Sequence, residues 1–349
     1  MNQNRLREIQ LRYTETILEE ACRRFGFLKD TLQELEGTAF VYEGSLDGHA
    51  CILKITPGVY NSNEQAFGAT AEQLLGEIDF VRYLDRNGVP VALPIASRSG
   101  NWVESILLDE QACFLAYAFE KVPGFMYPDE DMVQFPEPVL VEWGRLFGRM
   151  HSLSSRYQPS DPAWRRPSWE HNDLLDYRSL IPPDQPLVWQ RYEEMLSTLN
   201  ALPRDPQVFG LVHGDFHHGN FFDDNGRLIV FDFDAAHHLW FIADIVMALY
   251  NCLPLPRSET ARRREFSCYY LAQLLKGYVM EKSIDQVWLN CTPFFLKFDE
   301  MLSYSYFHKY WDLNQLSERR KTTLTEIRQR IEDEIPVVEF QPGDLKFNM

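Results

Sequence analysis

Three side chains in the run LVHGDFHHGNFFDDNGRLIVFDFD, at positions 211 to 234, have the types and spacing that phosphoryl transfer requires. Asp215 and Asn220 lie five residues apart in a predicted loop. Asp232 ends the apolar run LIVF, which predicts a strand that would hold its carboxylate at a fixed edge. The run therefore offers two carboxylates and one amide at positions that a short hairpin could bring together.

The pair Asn225-Gly226 lies between these groups and is typical of a hairpin turn. Folding at this turn would bring Asp232 back toward the loop that carries Asn220. Their oxygen atoms suit Mg²⁺, a hard cation that prefers carboxylate and carbonyl oxygens. Asp215 would then accept the proton of an attacking hydroxyl while the metal neutralises charge on the transferring phosphate.

The spacing resembles the protein-kinase catalytic loop, in which HRD precedes an Asn by five residues and DFG follows. It is more similar to the pattern HGDxxxxN, a strand and D-[FW]-[DE] of the aminoglycoside phosphotransferase and choline kinase-like family. The resemblance implies that Asp215 is the catalytic base, that Asn220 and Asp232 bind Mg²⁺, and that His213 is structural. Asp234 stands where protein kinases have glycine, which favours the small-molecule branch.

An ATP-using enzyme also needs a cation against the phosphates, and Lys54 ends the strand-like run CILK. This run resembles the VAIK strand of kinases. Glu77 begins EIDFVRYLDRNGVPV, which resembles the family stretch REAEALRWLxxxGVPVP, whose first Glu pairs with the strand lysine. The resemblance implies a Lys54–Glu77 ion pair, with Glu72 and Asp79 as alternative acids.

Further segments between residues 37 and 250 extend the resemblance. WGRLFGRMHSL at 143 to 153 is similar to the family helix LGRLHAL, and Asp244 in ADIVMALY is similar to an Asp that holds the catalytic loop. FLAYAFEKVPG at 114 to 124 resembles the family's interlobe linker, whose backbone bonds the adenine edge. The adenine contacts implied there are Phe119, Glu120, Lys121 and Val122.

The elements that must position these groups fall into two regions. Helical spacing over 5 to 25 and 64 to 87, and strand-like runs at 38 to 55, 91 to 96, 102 to 108 and 112 to 119, predict a small α+β lobe. The later pattern is mainly helical, at 139 to 153 and from 260 to 334, with a proline-rich irregular segment at 158 to 190.

We therefore expect an α+β, bilobed, protein-kinase-like fold. An N-terminal lobe with an antiparallel sheet would span residues 1–121 and bind the nucleotide, and a larger helix-rich lobe would span residues 122–349. The resemblance implies that MgATP binds between the two lobes.

Composition narrows the class of protein. The chain has 349 residues, 45% hydrophobic and 24% charged, without an apolar run of about 18 residues or a signal-like N-terminus. We expect a soluble, cytoplasmic protein with no membrane partner. Its net charge of −17 disfavours nucleic acid, and it fits either an acidic surface that keeps the protein in solution or a cationic partner. Six cysteines without a CxxC pair predict reduced thiols, and the oligomeric state stays open.

The resemblance implies an ATP-dependent phosphotransferase that moves the γ-phosphate of MgATP to a hydroxyl of a small molecule. The acceptor classes are amino alcohols, aminoglycosides, hydroxy amino acids and sugars. Acids and aromatics of the second lobe are the candidate acceptor contacts: Glu170, Asp173, Asp299, Glu300, Trp169, Tyr304 and Trp311.

Two alternatives remain open. One is a Ser/Thr protein kinase of the same fold. The other is a metal-dependent hydrolase or a non-catalytic nucleotide-binding protein, because several histidines cluster near the motif and histidine is a common zinc ligand. Those histidines are His213, His217, His218, His237 and His238.

Overall fold

A computed structural model of the chain describes residues 11–35, 40–59, 70–108, 112–128, 134–254 and 260–347. Parts of the predicted elements, namely residues 5–10, 38–39 and 64–69, lie outside the described residues. The chain divides into two compact units: Met1–Pro123 with Tyr157–Arg166, and Gly124–Arg156 with Pro167–Met349. In the part of the chain that is described, no helix has the length and apolar character needed to cross a membrane.

Where it is described, the first unit contains one antiparallel sheet in the order β1-β2-β3-β6-β4, with β5 also paired to β6. Its strands are β1 (Gln33–Leu35), β2 (Phe40–Leu46), β3 (His49–Val59), β4 (Pro94–Ile95), β5 (Glu104–Leu107) and β6 (Ala112–Glu120). The predicted hairpin joins β2 to β3 through Asp47 and Gly48, both with positive φ, as a tight two-residue turn requires. The strand predicted at 91 to 96 is reduced to Pro94–Ile95 at the edge of the sheet, where a proline is tolerated as the first residue of a strand.

Among the described residues of this unit, two helices pack against the sheet or its flanking segments, α1 (Glu15–Phe25) and α2 (Ala71–Arg86). The buried face of α1 joins the apolar side of the sheet in one core, and the helix ends at Gly26 with φ 98°. α2 begins with a capping box formed by Thr70 and Gln73. The segment Tyr157–Arg166 belongs to this unit and is held to α2, because the Tyr157 hydroxyl and Ser160 both donate to Asp79.

The described part of the second unit is mainly helical and carries two small antiparallel sheets, β7 with β10 and β8 with β9. Its strands are β7 (Phe209–Val212), β8 (Phe221–Asp224), β9 (Arg227–Val230) and β10 (His237–Trp240). Its helices are α3 (Glu137–Ser154), α4 (Tyr177–Leu180), α5 (Pro186–Ala201), α6 (Phe241–Asn251), α7 (Thr260–Tyr278), α8 (Gln286–Leu289), α9 (Thr292–Tyr310) and α10 (Glu318–Glu332). The segment predicted to be irregular at 158 to 190 contains short 3-10 helices and α4, but its last residues belong to α5, because a proline is tolerated at the first position of a helix.

Helices α3 and α7 pack with their backbones in direct contact. A β-carbon placed on Gly277 would lie 1.7 Å from the carbonyl oxygen of Val141, and one on Gly144 would lie 1.8 Å from that of Leu274. Glycine is therefore required on both helices, although it weakens a helix relative to alanine. This contact fixes α3, the helix that carries His151.

We expect Gly277→Ala to lower the free energy of unfolding by roughly 2–3 kcal/mol, because relief of the overlap must move one helix backbone. Denaturant unfolding measures the change. The control is Glu265→Ala, at an exposed position of the same helix, which we expect to leave stability within about 0.5 kcal/mol. A Gly277→Ala variant as stable as wild type would contradict the close packing of α3 and α7.

Candidate active site

The predicted catalytic loop follows β7 and turns sharply at Gly214. Gly214 has φ +81°, and a β-carbon there would lie 2.4 Å from the carbonyl oxygen of Ala235, so only glycine fits. Beyond it, the N–H of His217 donates to the carbonyl of Asp215 (2.8 Å), and the N–H of Asn220 donates to that of His217 (3.0 Å). These two backbone bonds close the loop into a compact turn.

Asp215 and Asn220 interact through their side chains. The Asn220 amide Nδ2 donates to the Asp215 carbonyl at 2.7 Å and to the carboxylate Oδ2 at 3.1 Å. Among the described residues, neither Oδ1 of Asp215 nor Oδ1 of Asn220 has a hydrogen-bond partner. The Asp215 side chain is 44% exposed, so a molecule in solution can reach it.

Asp232 follows the β8–β9 hairpin, which turns at Asn225-Gly226 as predicted. The N–H of Phe231 donates to the carbonyl of Asn220 at 3.0 Å, which places Asp232 one residue beyond a direct bond to the loop. Asp232 itself has φ 68° and ψ 59°, a left-handed conformation that is uncommon outside glycine. Such backbone strain is often found at functional sites.

His213 holds the two halves of the site together. Its ring Nε2–H donates to the carbonyl of Phe231 (3.0 Å), and its Nδ1 accepts the N–H of Asp215 (3.3 Å). Burial lowers the pKa of His213 below its ordinary value of 6.5, which favours the neutral ring that this donor and acceptor pair requires. This arrangement supports a structural role for His213.

A buried network holds the loop from the other side. Asp244, at the start of α6, accepts the N–H of Gly214 through Oδ1 (2.9 Å) and the Nε2–H of His151 through Oδ2 (3.0 Å). The hydroxyl of Tyr278 lies 3.2 Å from Nδ1 of His151. Asp244 and His151 are 0% exposed. Sequence reasoning proposed Asp244 but missed His151 and Tyr278, although His151 matches the His of the family helix LGRLHAL.

The predicted nucleotide residues lie in the first unit. Lys54 is on β3 opposite Tyr117 of β6, with its ammonium 6.0 Å from the centre of the Phe119 ring. Glu77 is on α2 and is 1% exposed. The pairing of Lys54 with Glu77 stays a prediction, and Asp79 already accepts hydrogen bonds from Tyr157 and Ser160.

The linker residues differ in the hydrogen bonds they leave available. The N–H of Glu120 donates to Leu93 (2.8 Å), and the N–H of Lys121 donates to Ala50 (3.0 Å). The Lys121 ammonium pairs with Glu43 at 2.6 Å. Within the described residues the N–H of Val122 has no such partner, so it is the donor of this segment that a ligand can use.

Most of the candidate acceptor contacts take part in interactions within the second unit. Glu300 is buried and pairs with Arg330 (3.0 Å), and Tyr304 is buried with its hydroxyl donating to Gln185. The others lie as follows: Glu170 pairs with Arg204, Asp173 with Lys309, Trp169 and Asp299 are buried, and Trp311 stacks on Phe307. Their role in acceptor binding stays a prediction.

The clustered histidines bond largely to nearby backbone. Nδ1 of His237 donates to the carbonyl of Ala235 (2.8 Å), and Nδ1 of His238 to that of Pro167 (3.2 Å). Nδ1 of His218 lies 3.7 Å from the Cys252 sulfur. No group of three or more His, Cys, Asp or Glu side chains arranged to hold a metal ion occurs in the described ranges.

Known proteins decide the family. A model described as the phosphotransferase enzyme family (APH) matches residues 46–277. The chain belongs to this family. Amicoumacin kinase of Bacillus subtilis (strain 168) is 35% identical over 329 residues, covering 94% of this chain and 95% of that protein. The predicted family and the prediction of a phosphotransferase are confirmed.

Solved structures agree on the fold. Amicoumacin kinase hAmiN in complex with AMP-PNP, Ca²⁺ and Ami has a TM-score of 0.88 and 34% identity, over 97% of this chain and 99% of that one. A microcompartment-associated aminopropanol kinase has a TM-score of 0.69 over 92% and 98% of the two chains, but its 16% identity bears on the fold alone. The predicted α+β, kinase-like fold is confirmed.

We expect the buried network to make stability depend on pH. Burial lowers the pKa of His151 below 6.5, against the opposite effect of Asp244, so the unfolded chain binds this proton more readily. The free energy of unfolding should therefore fall as the pH drops below about 6.5, by at most about 1.4 kcal/mol per pH unit for this one group.

Denaturant unfolding at about pH 7.5 and about pH 5.5 measures this effect. His151→Gln cannot titrate and should show a smaller loss over that interval than wild type. The control His49→Gln removes an exposed histidine and should leave the loss unchanged. Equal losses in wild type and His151→Gln would contradict the assignment.

Proposed function

We propose that the protein transfers the γ-phosphate of ATP to a hydroxyl group of amicoumacin or a close analogue. The observation that carries the proposal is the 35% identity to an amicoumacin kinase across nearly the whole of both chains. The net charge of −17 supports a cationic acceptor. A cytoplasmic location is part of the proposal, because ATP is available there and all six cysteines are free thiols.

In the proposed reaction Asp215 is the catalytic base. Its Oδ1 takes the proton of the acceptor hydroxyl, the acceptor oxygen forms a bond to the γ-phosphorus, and the bond from that phosphorus to the bridging oxygen breaks to release ADP. Lys54, oriented by Glu77, stabilises charge on the phosphates. The N–H of Val122 donates to the adenine edge, with Phe119, Glu120 and Lys121 forming the segment around it.

The donor set at the loop fits a hard divalent cation. Asn220 directs its Nδ2 to Asp215, which leaves the amide oxygen as a ligand, and Asp232 supplies a carboxylate. Two protein ligands are enough for Mg²⁺, which usually keeps waters and binds substrate phosphates as well. When bound, Mg²⁺ would neutralise charge on the phosphates. We propose Asn220 and Asp232 as its ligands, with His213 and Asp244 supporting the loop.

The direct test is ATP consumption with purified protein and a panel of amicoumacin, amino alcohols, aminoglycosides, homoserine and a serine-containing peptide. Mass spectrometry should show a mass gain of one phosphate on amicoumacin, with slower or no turnover of the other acceptors. Phosphorylation of the peptide in preference to every small molecule would favour a protein kinase. Absence of turnover with every acceptor would contradict the proposal.

Asp215→Asn should lower kcat by a factor of about 100 or more, because the amide cannot accept the hydroxyl proton. ATP affinity should change little, since the base contacts the acceptor. The matched control is Asp224→Asn, a similar change on β8 at a side chain whose partner is Asn225, and it should keep wild-type turnover. Unchanged turnover of Asp215→Asn would refute the assignment.

Asp232→Asn should remove the part of nucleotide binding that depends on Mg²⁺, because the variant loses the charged oxygen ligand. Thermal unfolding with ATP, in the presence and absence of Mg²⁺, measures this increment in Tm. We expect a clear increment for wild type and for Asp224→Asn, and little or none for Asp232→Asn. A wild-type increment in Asp232→Asn would show that another residue binds the metal.

A further inference from the structure

His217 lies in the catalytic loop with both ring nitrogens facing defined groups. Its Nδ1 accepts the N–H of Gly219 at 3.0 Å. A neutral imidazole that accepts at one nitrogen carries its proton on the other, so Nε2 is the donor. That Nε2 lies 3.6 Å from Oδ2 of Asp215. The Gly219 N–H thus fixes the tautomer of the ring, so the carboxylate faces the nitrogen that carries the proton.

The two oxygens of Asp215 have different surroundings. Oδ2 lies 3.1 Å from the donating amide of Asn220 and 3.6 Å from Nε2–H of His217, whereas Oδ1 has no hydrogen-bond partner among the described residues. The longer distance exceeds that of a hydrogen bond, so His217 acts on Oδ2 through its N–H dipole. Because both donors approach the same oxygen, they favour one orientation of the carboxylate.

We propose that His217 is a positioning residue for Asp215. The Asn220 amide donates to Oδ2, the Nε2–H dipole of His217 attracts the same oxygen, and the carboxylate therefore presents Oδ1 to the acceptor hydroxyl. The proposal deepens the proposed function and rests on Asp215 as the base. His217 itself takes no proton in the reaction, and its contribution is the orientation of the accepting lone pair.

A purely structural role is the competing explanation. The ring packs on the loop backbone, because a β-carbon on Gly219 would lie 2.6 Å from Cε1 of His217, and its Nδ1 closes the turn. If His217 only closed the turn, any side chain that accepts the Gly219 N–H would keep the wild-type activity. A side chain that reaches Asp215 but does not accept the Gly219 N–H would then lose activity.

Two substitutions separate these roles. His217→Asn places an oxygen near the position of Nδ1, where it can accept the Gly219 N–H, but it has no donor that reaches Asp215. His217→Gln is longer, and its amide nitrogen reaches the position of Nε2. Each variant thus keeps one of the two contacts of the imidazole.

We expect His217→Asn to lower kcat about tenfold with the KM for ATP unchanged, and His217→Gln to recover most of that loss. His49→Asn, at an exposed histidine, is the control and should match wild type. Thermal unfolding of each variant shows whether the fold is kept. Wild-type kcat in His217→Asn, or a His217→Gln variant as impaired as His217→Asn, would overturn the proposal.

The ring tautomer gives a readout that does not depend on turnover. In the full-length wild-type chain, NMR of the histidine ring nitrogens should show His217 protonated at Nε2, and Asp215→Asn should shift that resonance. A proton on Nδ1, or no response to Asp215→Asn, would overturn the proposal even in an active enzyme. Wild-type inactivity toward every acceptor would instead refute the proposed function, whatever the tautomer.

Discussion

The catalytic loop depends on the hydrogen bonds of one completely buried carboxylate, that of Asp244. A buried carboxylate is costly unless its oxygens are satisfied, and here one oxygen accepts from Gly214 and the other from His151. Because His151 also lies 3.2 Å from the Tyr278 hydroxyl, one acid ties helices α3, α6 and α7 to a single peptide N–H. The position of Asp215, one residue after that N–H, follows from the packing of these helices.

The other functional groups are placed by backbone bonds that begin at this loop. The Asn220 side chain donates to Asp215, and the Asn220 carbonyl accepts the N–H of Phe231. The loop therefore fixes the position of the β8–β9 hairpin and of Asp232. Two left-handed residues, Gly214 and Asp232, turn the chain at either end of this path. Strain at Asp232 is tolerated because His213 fixes the neighbouring carbonyl of Phe231.

Local features of this arrangement could be predicted from the sequence, because they depend on residues a few positions apart. Both hairpin turns and the Asp215 to Asn220 loop are of this kind. The network around Asp244 was only partly predictable, since His151 lies 93 residues from Asp244 and 127 from Tyr278. Spacing does not reveal such contacts. The resemblance to a family identified Asp244 and its role in holding the catalytic loop, but it did not identify His151 as a partner of the carboxylate.

Spacing in the sequence also could not show which acids already pair with a cation of the chain and which are available to a cationic acceptor. Glu300 is buried against Arg330, so binding an acceptor there would leave a buried guanidinium without its partner, which is costly. Glu170 and Asp173 also pair with cations of the chain, but their side chains are 33% and 44% exposed. The Glu170–Arg204 pair is partly exposed on both sides, and a surface ion pair contributes less than about 1 kcal/mol, so an acceptor ammonium can replace Arg204 at small cost. The Lys309 side chain is only 7% exposed, so removing Asp173 from it would cost more, as at Glu300. The structure therefore favours Glu170 over Asp173 and Glu300 as an acid that could receive a cationic acceptor.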